Sequence, residues 1–296
     1  MAPTPHHGGP GGAGALREAA VAGYFYPASE DELRRELARC FAHRLGPGPL
    51  PGLSEAGRGV PPIATVSPHA GLRYSGPIAA HAYGGLGLVR NAIVLGPNHR
   101  ARGARLALAP PGRWRTPLGD LEVHAELGDA LLTVAPGLEV DGRAHALEHS
   151  IELQALFLQY AVGPHLRLVA IAIYGVLLDE VLALGRALAK VCSSFPALLV
   201  ASTDLTHYLP DAVARERDSR AIAAMERLDV EGLATLLAAD QVTLCGAAAT
   251  LAVLAAAREL GARNATLLRY GTSADVTGDA DAVVGYASLR VDPPPT

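Results

Sequence analysis

Positive charge is scarce in this sequence of 296 residues. Lysine occurs once, as Lys190, and the 25 Lys and Arg residues are outnumbered by 29 Asp and Glu, which gives a formal net charge of -4. Proteins that bind nucleic acids or anionic membrane surfaces usually carry an excess of basic side chains. We therefore expect neither a nucleic-acid partner nor a membrane partner.

Cysteine and long apolar runs are scarce as well. The three cysteines, Cys40, Cys192 and Cys245, are odd in number and far apart, which excludes a framework of disulfides. The first residues lack the basic and apolar regions of a secretory signal. No apolar run reaches the roughly 18–20 residues of a membrane span. These absences predict a cytoplasmic protein.

Hydrophobic residues make up 50% of the chain, which is enough to bury a large core. Residues 1–16 are rich in Gly, Pro and Ala, a composition that predicts a disordered tail. The segment 46–61 is rich in Pro and Gly and predicts a surface loop. Because no other change in composition marks a boundary, we expect one domain over residues 17–296.

Short aliphatic segments alternate along this domain with longer segments of helical period. The pattern predicts strands at 62–67, 92–96, 105–109, 166–174, 197–202, 266–270 and 282–289, and helices at 29–42, 76–83, 125–133, 144–161, 178–192, 211–228, 230–238 and 245–260. Such alternation is typical of a single α/β/α domain with a mostly parallel or mixed central sheet.

Reactive side chains follow three of the predicted strands. His69 follows strand 62–67, His99 follows strand 92–96, and Asp204 and His207 follow strand 197–202. In α/β folds ligands bind beyond the carboxyl ends of the strands. We therefore expect these side chains to share a site.

Cys245 lies at the start of a predicted helix. The positive end of a helix stabilises a thiolate, so we expect Cys245 to have the lowest pKa of the three cysteines and to be a thiolate ligand or nucleophile. Packing as a small hydrophobic side chain between helix and sheet is the alternative.

The segment His145–Glu152 contains a further cluster of acidic and imidazole side chains. If it is helical, His145, Glu148 and His149 share one face. They spell H-x-x-E-H, a pattern of zinc peptidases that many unrelated sequences match by chance. We favour the interpretation in which His145, Glu148 and His149 orient other groups of the site.

Considered together, several short motifs resemble those of the Memo family, which includes the prokaryotic AmmeMemoRadiSam system protein B. The resemblance extends from about residue 17 to residue 290, and the motifs keep their order: VAGYFYP (21–27), SPHAG (67–71), GPNH (96–99), TPLGDLEV (116–123), EHSIE (148–152), STDLTHY (202–208) and TLCG (243–246). It implies a fold similar to that of class III extradiol dioxygenases, which hold non-haem iron.

The resemblance also implies roles for individual residues. The family's metal ligands correspond to His69, His99 and Cys245. Its Asp and His beside the metal correspond to Asp204 and His207, which we expect to be catalytic. Its aromatic residues that line the substrate pocket correspond to Phe25 and Tyr74.

These residues predict one bound metal ion. Two imidazoles and a thiolate favour iron(II) or copper and also suit zinc. The expected function is a metal-dependent redox enzyme, resembling a dioxygenase, that acts on a small molecule. By resemblance, its partners include radical-SAM and AMMECR-type proteins. Two alternatives stay open, namely a non-catalytic module that binds a ligand or phosphopeptide in the same pocket, and a zinc peptidase that uses His145, Glu148 and His149.

Overall fold

A twisted mixed sheet forms the centre of the molecule. The computed structural model describes residues 14–50 and 60–294. Within them the strands are β1 (Ala15–Arg17), β2 (Ala64–Ser67), β3 (Asn91–Pro97), β4 (Leu106–Leu108), β5 (Gly112–Thr116), β6 (Gly119–Val123), β7 (Leu138–Val140), β8 (Arg167–Ile173), β9 (Leu198–Ser202), β10 (His207–Leu209), β11 (Thr266–Thr272) and β12 (Val283–Val291).

The helices connect these strands and lie on both sides of the sheet. They are α1 (Glu30–Ala42), α2 (Leu72–Tyr83), α3 (Ala125–Val134), α4 (Ser150–Val162), α5 (Leu178–Cys192), α6 (Asp211–Glu226), α7 (Val230–Ala238), α8 (Ala247–Glu259) and the single turn α9 (Ala274–Thr277). Every helix among the described residues is too short or too polar to cross a membrane.

The strand order places the parallel strands in the middle of the sheet. The order is β1-β5-β6-β8-β3-β9-β2-β12-β10, with β11 paired to β12 and β4 paired to β7 and β8. Neighbours within the group β8, β3, β9 and β2 are parallel, whereas β12 is antiparallel to β2. The predicted single α/β/α domain with a mixed central sheet is confirmed.

Hydrophobic cores lie on both faces of the sheet. Along β3, Ile93 and Leu95 point into one core and Ala92 and Val94 into the other, because successive side chains of a strand alternate between faces. Helices α1, α2 and α4 cover the core that contains Val94, and α3, α5, α6, α7 and α8 cover the other. A central strand buried on both faces explains the continuous apolar run of β3.

Several boundaries differ from the sequence-based expectation, among them those of the tail, the loop and one long helix. Ala15 and Leu16 belong to β1, which pairs with β5, and were expected in the disordered tail; residues 1–13 of that tail lie outside the described residues. Residues 51–59 of the expected loop 46–61 also lie outside them, and 46–50 and 60–61 are irregular. The helix expected at 144–161 begins only at Ser150.

Candidate metal centre

Three parallel strands bring distant parts of the chain to one edge of the sheet. His69 follows the end of β2, His99 follows β3, and Asp204 follows β9. All three side chains line a pocket of about 790 Å³. The expectation that these strand ends form a shared site agrees with this arrangement.

His69 is held in a defined tautomer on the floor of the pocket. The Ser202 hydroxyl donates to the carbonyl of Ser150, with 2.7 Å between Oγ and O. Because a hydroxyl has only one hydrogen to donate, Ser202 must accept from Nδ1–H of His69, which is 2.8 Å away. The lone pair of Nε2 is then directed at Cys245, whose Sγ lies 3.3 Å away. Burial lowers the pKa of His69 well below its ordinary value, which keeps the imidazole neutral and able to bind a metal.

Glu148 orients His99. Its carboxylate lies 2.9 Å from Nδ1 of His99 and accepts from the His99 backbone amide at 2.6 Å. The contact leaves Nε2 of His99 available to the pocket. Burial raises the pKa of Glu148, but the hydrogen bond and charge of His99, the Ser150 amide and the charge of His149 together lower it to about 2. A carboxylate behind an imidazole is the usual arrangement around metal-binding histidines.

The same carboxylate explains why the helix at this point starts late. Glu148 Oε1 accepts from the backbone amides of His149 and Ser150, at 2.8 and 2.9 Å. The side chain thus binds amides at the start of α4 and lies outside the helix. His145, Glu148 and His149 therefore do not share a helical face, and that expectation is wrong.

His145 lies apart from the pocket. Its Nε2 bonds to the carbonyl of Ala107 at 3.0 Å, and its ring packs against Trp114 with 5.7 Å between centroids. Only His149 of the two histidines in the H-x-x-E-H pattern lines the pocket. A zinc-peptidase site, in which both histidines bind one metal, is not formed by this geometry.

His149 lies in the pocket beside the proposed ligands, whereas the interpretation favoured from sequence gave it only a role in orienting other groups. Its ring stacks on that of His99 with 4.7 Å between centroids and 13° between planes. His69, His99 and His149 offer ligand atoms within 4.8 Å of one another. The sequence signal for a ligand role was the H-x-x-E-H pattern, in which His149 would bind a metal.

Cys245 belongs to a second group of possible metal ligands. His69, Asp204 and Cys245 also offer atoms within 4.8 Å of one another, and the Asp204 amide donates to Sγ at 3.1 Å. His69 belongs to both groups. The three ligands predicted from the sequence are therefore divided, with His99 in one group and Cys245 in the other.

The expected low pKa of Cys245 is wrong. Burial and the nearby charge of Asp204 raise the pKa of this thiol, and the backbone amides of Asp204 and Gly246 lower it only in part. Burial likewise raises the pKa of Cys40 and Cys192 to about 12. A bound cation would favour the thiolate of Cys245 despite this environment.

Asp204 and His207 both line the pocket but make different contacts. One carboxylate oxygen of Asp204 accepts from the His69 amide at 2.8 Å, and the other lies 4.0 Å from Nε2 of His69. Burial raises the pKa of Asp204. His207 begins β10 and lies on the pocket wall. Among the described residues the carboxylate forms no hydrogen bond with this histidine.

Aromatic side chains surround the pocket. Phe25 and Tyr74, predicted from the sequence, both line it, and so do Tyr24, Tyr208 and Tyr286. The Phe25 ring packs against His149 with 4.8 Å between centroids. Tyr24 and Tyr208 are 91% and 77% exposed at the mouth, and their role was not evident from sequence because their neighbours in space are far away in the chain.

Comparisons with known proteins agree with this architecture. Residues 17–290 match the family model described as Memo-like protein. A MEMO1 family protein of Methanopyrus kandleri is 40% identical over 278 residues, which cover 92% of this chain and 98% of that protein. Relatives of the same family from Methanothermobacter thermautotrophicus and Sulfolobus acidocaldarius are 38% and 39% identical, each over 93% of this chain and 99% of the relative. The chain therefore belongs to the Memo family.

Proposed function

We propose that this protein is a metal-dependent redox enzyme that acts on a small molecule. The observation that carries the proposal is that two groups of possible ligands share His69 in one aromatic pocket, with His99 in one group and Cys245 in the other. The donor set fits a metal ion, because His69 presents an unprotonated Nε2 to the thiol and Glu148 orients His99. His149 and Asp204 each offer a further ligand atom within 4.8 Å of that of His69.

The chemistry of these donors defines the metals to test. Imidazole and thiolate ligands suit iron(II), copper and zinc, and among these iron and copper are redox-active. When bound, iron or copper would supply one-electron redox chemistry and an open position for an oxygen ligand. The chain itself would orient the substrate between the aromatic side chains and provide His207 to donate or accept a proton.

Recognition of a phosphopeptide in the same pocket has less support. Phosphate groups are usually bound by Arg or Lys side chains or by several backbone amides at a helix N-terminus. The residues that line the pocket, within the described part of the chain, include no Arg and no Lys. The radical-SAM and AMMECR-type partners and the cytoplasmic location remain predictions from family resemblance and composition.

Metal analysis tests the proposed ligands. Protein purified without oxygen should contain close to one iron or copper ion per chain. Cys245→Ser should lose most of this metal, because a hydroxyl is a much weaker ligand for these ions than a thiolate. Cys192→Ser is the matched control and should keep its metal, since Cys192 is buried in α5 away from the pocket. Full metal content in Cys245→Ser would contradict the assignment.

Turnover tests the redox activity. Oxygen consumption should be detectable with the metal-loaded protein and a phenolic or thiol compound. His207→Ala should retain the metal and lose about 10² to 10⁴ in rate, the usual contribution of a general acid or base. The control His165→Ala alters an exposed histidine and should leave the rate unchanged. Equal rates in wild type and His207→Ala would remove His207 from the mechanism, and no rate with any compound would favour a binding module.

A further inference from the structure

The aromatic wall of the pocket is carried by a short turn near the N-terminus. We name residues 20–26 the aromatic turn, because Tyr24 and Phe25 line the pocket from it. Its backbone closes through bonds from the amides of Tyr24 and Phe25 to the carbonyl of Val21, at 3.1 and 3.0 Å. These local bonds give the turn its shape, and the Phe25 carbonyl also accepts from the Leu72 amide of α2 at 2.9 Å.

One buried carboxylate makes three further hydrogen bonds to the aromatic turn. Glu152 of α4 is fully buried, and it accepts from the backbone amides of Ala20 and Val21 at 2.8 and 3.1 Å. The Tyr26 hydroxyl and the Arg17 guanidinium also donate to it. Three of the four donors belong to the aromatic turn, so Glu152 binds this segment at both of its ends.

The position of Glu152 links the turn to the ligand side of the pocket. Glu148, four residues earlier in the chain, orients His99, and the Phe25 ring packs on His149. The two glutamates therefore fix two neighbouring parts of the pocket near the start of the same helix. A salt bridge that served stability alone would not need to bind two amides and a hydroxyl of the pocket wall.

We propose that Glu152 is a positioning residue that holds the aromatic turn against the metal centre and thereby sets the shape of the substrate pocket. This inference rests on the proposed function only for the statement that the pocket binds a substrate. Its contacts exist whether or not a metal binds, so a test on the full-length chain in the presence of a chelator separates the two ideas.

Alkylation of Cys245 measures how well the wall covers the pocket floor. Cys245 is partly exposed, whereas Cys40 and Cys192 are buried, so iodoacetamide labelling mapped by mass spectrometry reports on this thiol. Glu152→Gln keeps the size of the side chain but replaces one carboxylate oxygen with an NH2 group. This group cannot accept hydrogen bonds from the donors that surround Glu152. Loss of charged hydrogen bonds of this kind should increase the labelling rate about tenfold, by allowing the turn to open.

The fluorescence of Trp114 is a second reporter, which follows the contact between Glu152 and Arg17. Trp114 is the single tryptophan of the chain, and the Arg17 guanidinium lies 4.3 Å from its ring centroid. Glu152→Gln removes the carboxylate partner of Arg17 and leaves its bonds to the carbonyls of His145 and Glu148. The guanidinium should therefore pack less closely on the ring, and the emission of Trp114 should shift to longer wavelength because water reaches the ring. Unchanged emission together with an unchanged labelling rate would overturn the proposal.

Two controls separate positioning from electrostatics and from general loosening. Glu152→Asp keeps the negative charge but shortens the side chain, so labelling should accelerate in this variant as well; a wild-type rate in it would overturn the proposal. Leu156→Val alters a buried residue of the same helix and should stay within about twofold of wild type. An equal acceleration in Leu156→Val would also overturn it.

Tyr26→Phe gives an independent result if Glu152→Gln fails to fold. It removes one donor to Glu152 and leaves the carboxylate, Arg17 and both amides in place. Labelling of Cys245 should accelerate, by less than in Glu152→Gln. A rate equal to that of wild type would contradict the role of Glu152 without any use of the Gln variant.

Discussion

The roles of His69, His99 and His145 are decided by the partner of one ring nitrogen. Nδ1 of His69 donates to Ser202, and Nδ1 of His99 faces Glu148, so both rings direct Nε2 towards the pocket. His145 instead uses Nε2 for the carbonyl of Ala107, and its Nδ1 has no hydrogen-bond partner in the described part of the chain. The same residue type therefore serves as a possible ligand in two places and as a packed side chain in the third.

The burial of His145 should make stability depend on pH. Burial lowers the pKa of His145 from 6.5 to about 4. Between these values the unfolded chain binds a proton that the folded chain does not, so the free energy of unfolding falls as the pH falls through this window. The loss amounts to up to about 3 kcal/mol. Urea unfolding at several pH values should show a shallower decline in His145→Gln than in wild type.

The control for this prediction is a histidine without such burial. His165 is exposed, so His165→Gln should retain the pH slope of the wild-type protein. Equal slopes in wild type and His145→Gln would show that His145 does not cause the loss of stability.

Whole elements were predictable from sequence where a strand or helix is long and buried. The central strands β3, β8 and β9 have continuous apolar runs, and each was expected close to where it lies. The short strands β1, β7 and β10 were not expected, because three residues carry no period and depend on pairing partners that are distant in sequence. The start of α4 was predicted too early because the polar residues of His145–His149 have helical spacing. In the structure the Glu148 carboxylate accepts from the amides of His149 and Ser150, which would bond to carbonyls of a preceding turn if the helix began earlier.

Helix α8 depends on a glycine for its close approach to β9. A Cβ on Gly246 would lie 2.1 Å from the carbonyl oxygen of Ser202 and 2.8 Å from Cβ of Thr203. Gly246→Ala should therefore displace the start of α8 together with Cys245. Overpacking of this kind costs about 1–3 kcal/mol of unfolding free energy, measurable by urea denaturation, and should also weaken metal binding.

Gly84→Ala, at the end of α2, is the control for this substitution. The nearest atoms to a Cβ at Gly84 are 3.8 Å away, and its φ of -73° suits any residue. This variant should unfold at nearly the urea concentration of wild type. If Gly246→Ala were equally stable and bound metal equally well, the close contact between α8 and β9 would not control the position of Cys245.

At the scale of the whole molecule, the candidate site joins parts of the chain that are far apart. His69 and Cys245 are 176 positions apart in sequence and 3.3 Å apart in space. The residue types at the strand ends could be predicted from sequence, because the carboxyl edge of a parallel sheet collects them. Their division into two groups that share His69 could not, since it depends on side-chain bonds such as those of Ser202 and Glu148.

A metal that binds such distant residues should stabilise the entire domain. Because the unfolded chain cannot hold His69, His99 and Cys245 together, binding is linked to global folding. Free metal at 100 times its dissociation constant adds about 2.7 kcal/mol, which in a chain of this size raises Tm by about 5 °C. Calorimetry of metal-free protein with added iron(II), under anaerobic conditions, measures the shift. It should disappear in Cys245→Ser and persist in Cys192→Ser, whose altered residue lies in α5. An equal shift in both variants would mean that the metal binds elsewhere on the folded chain.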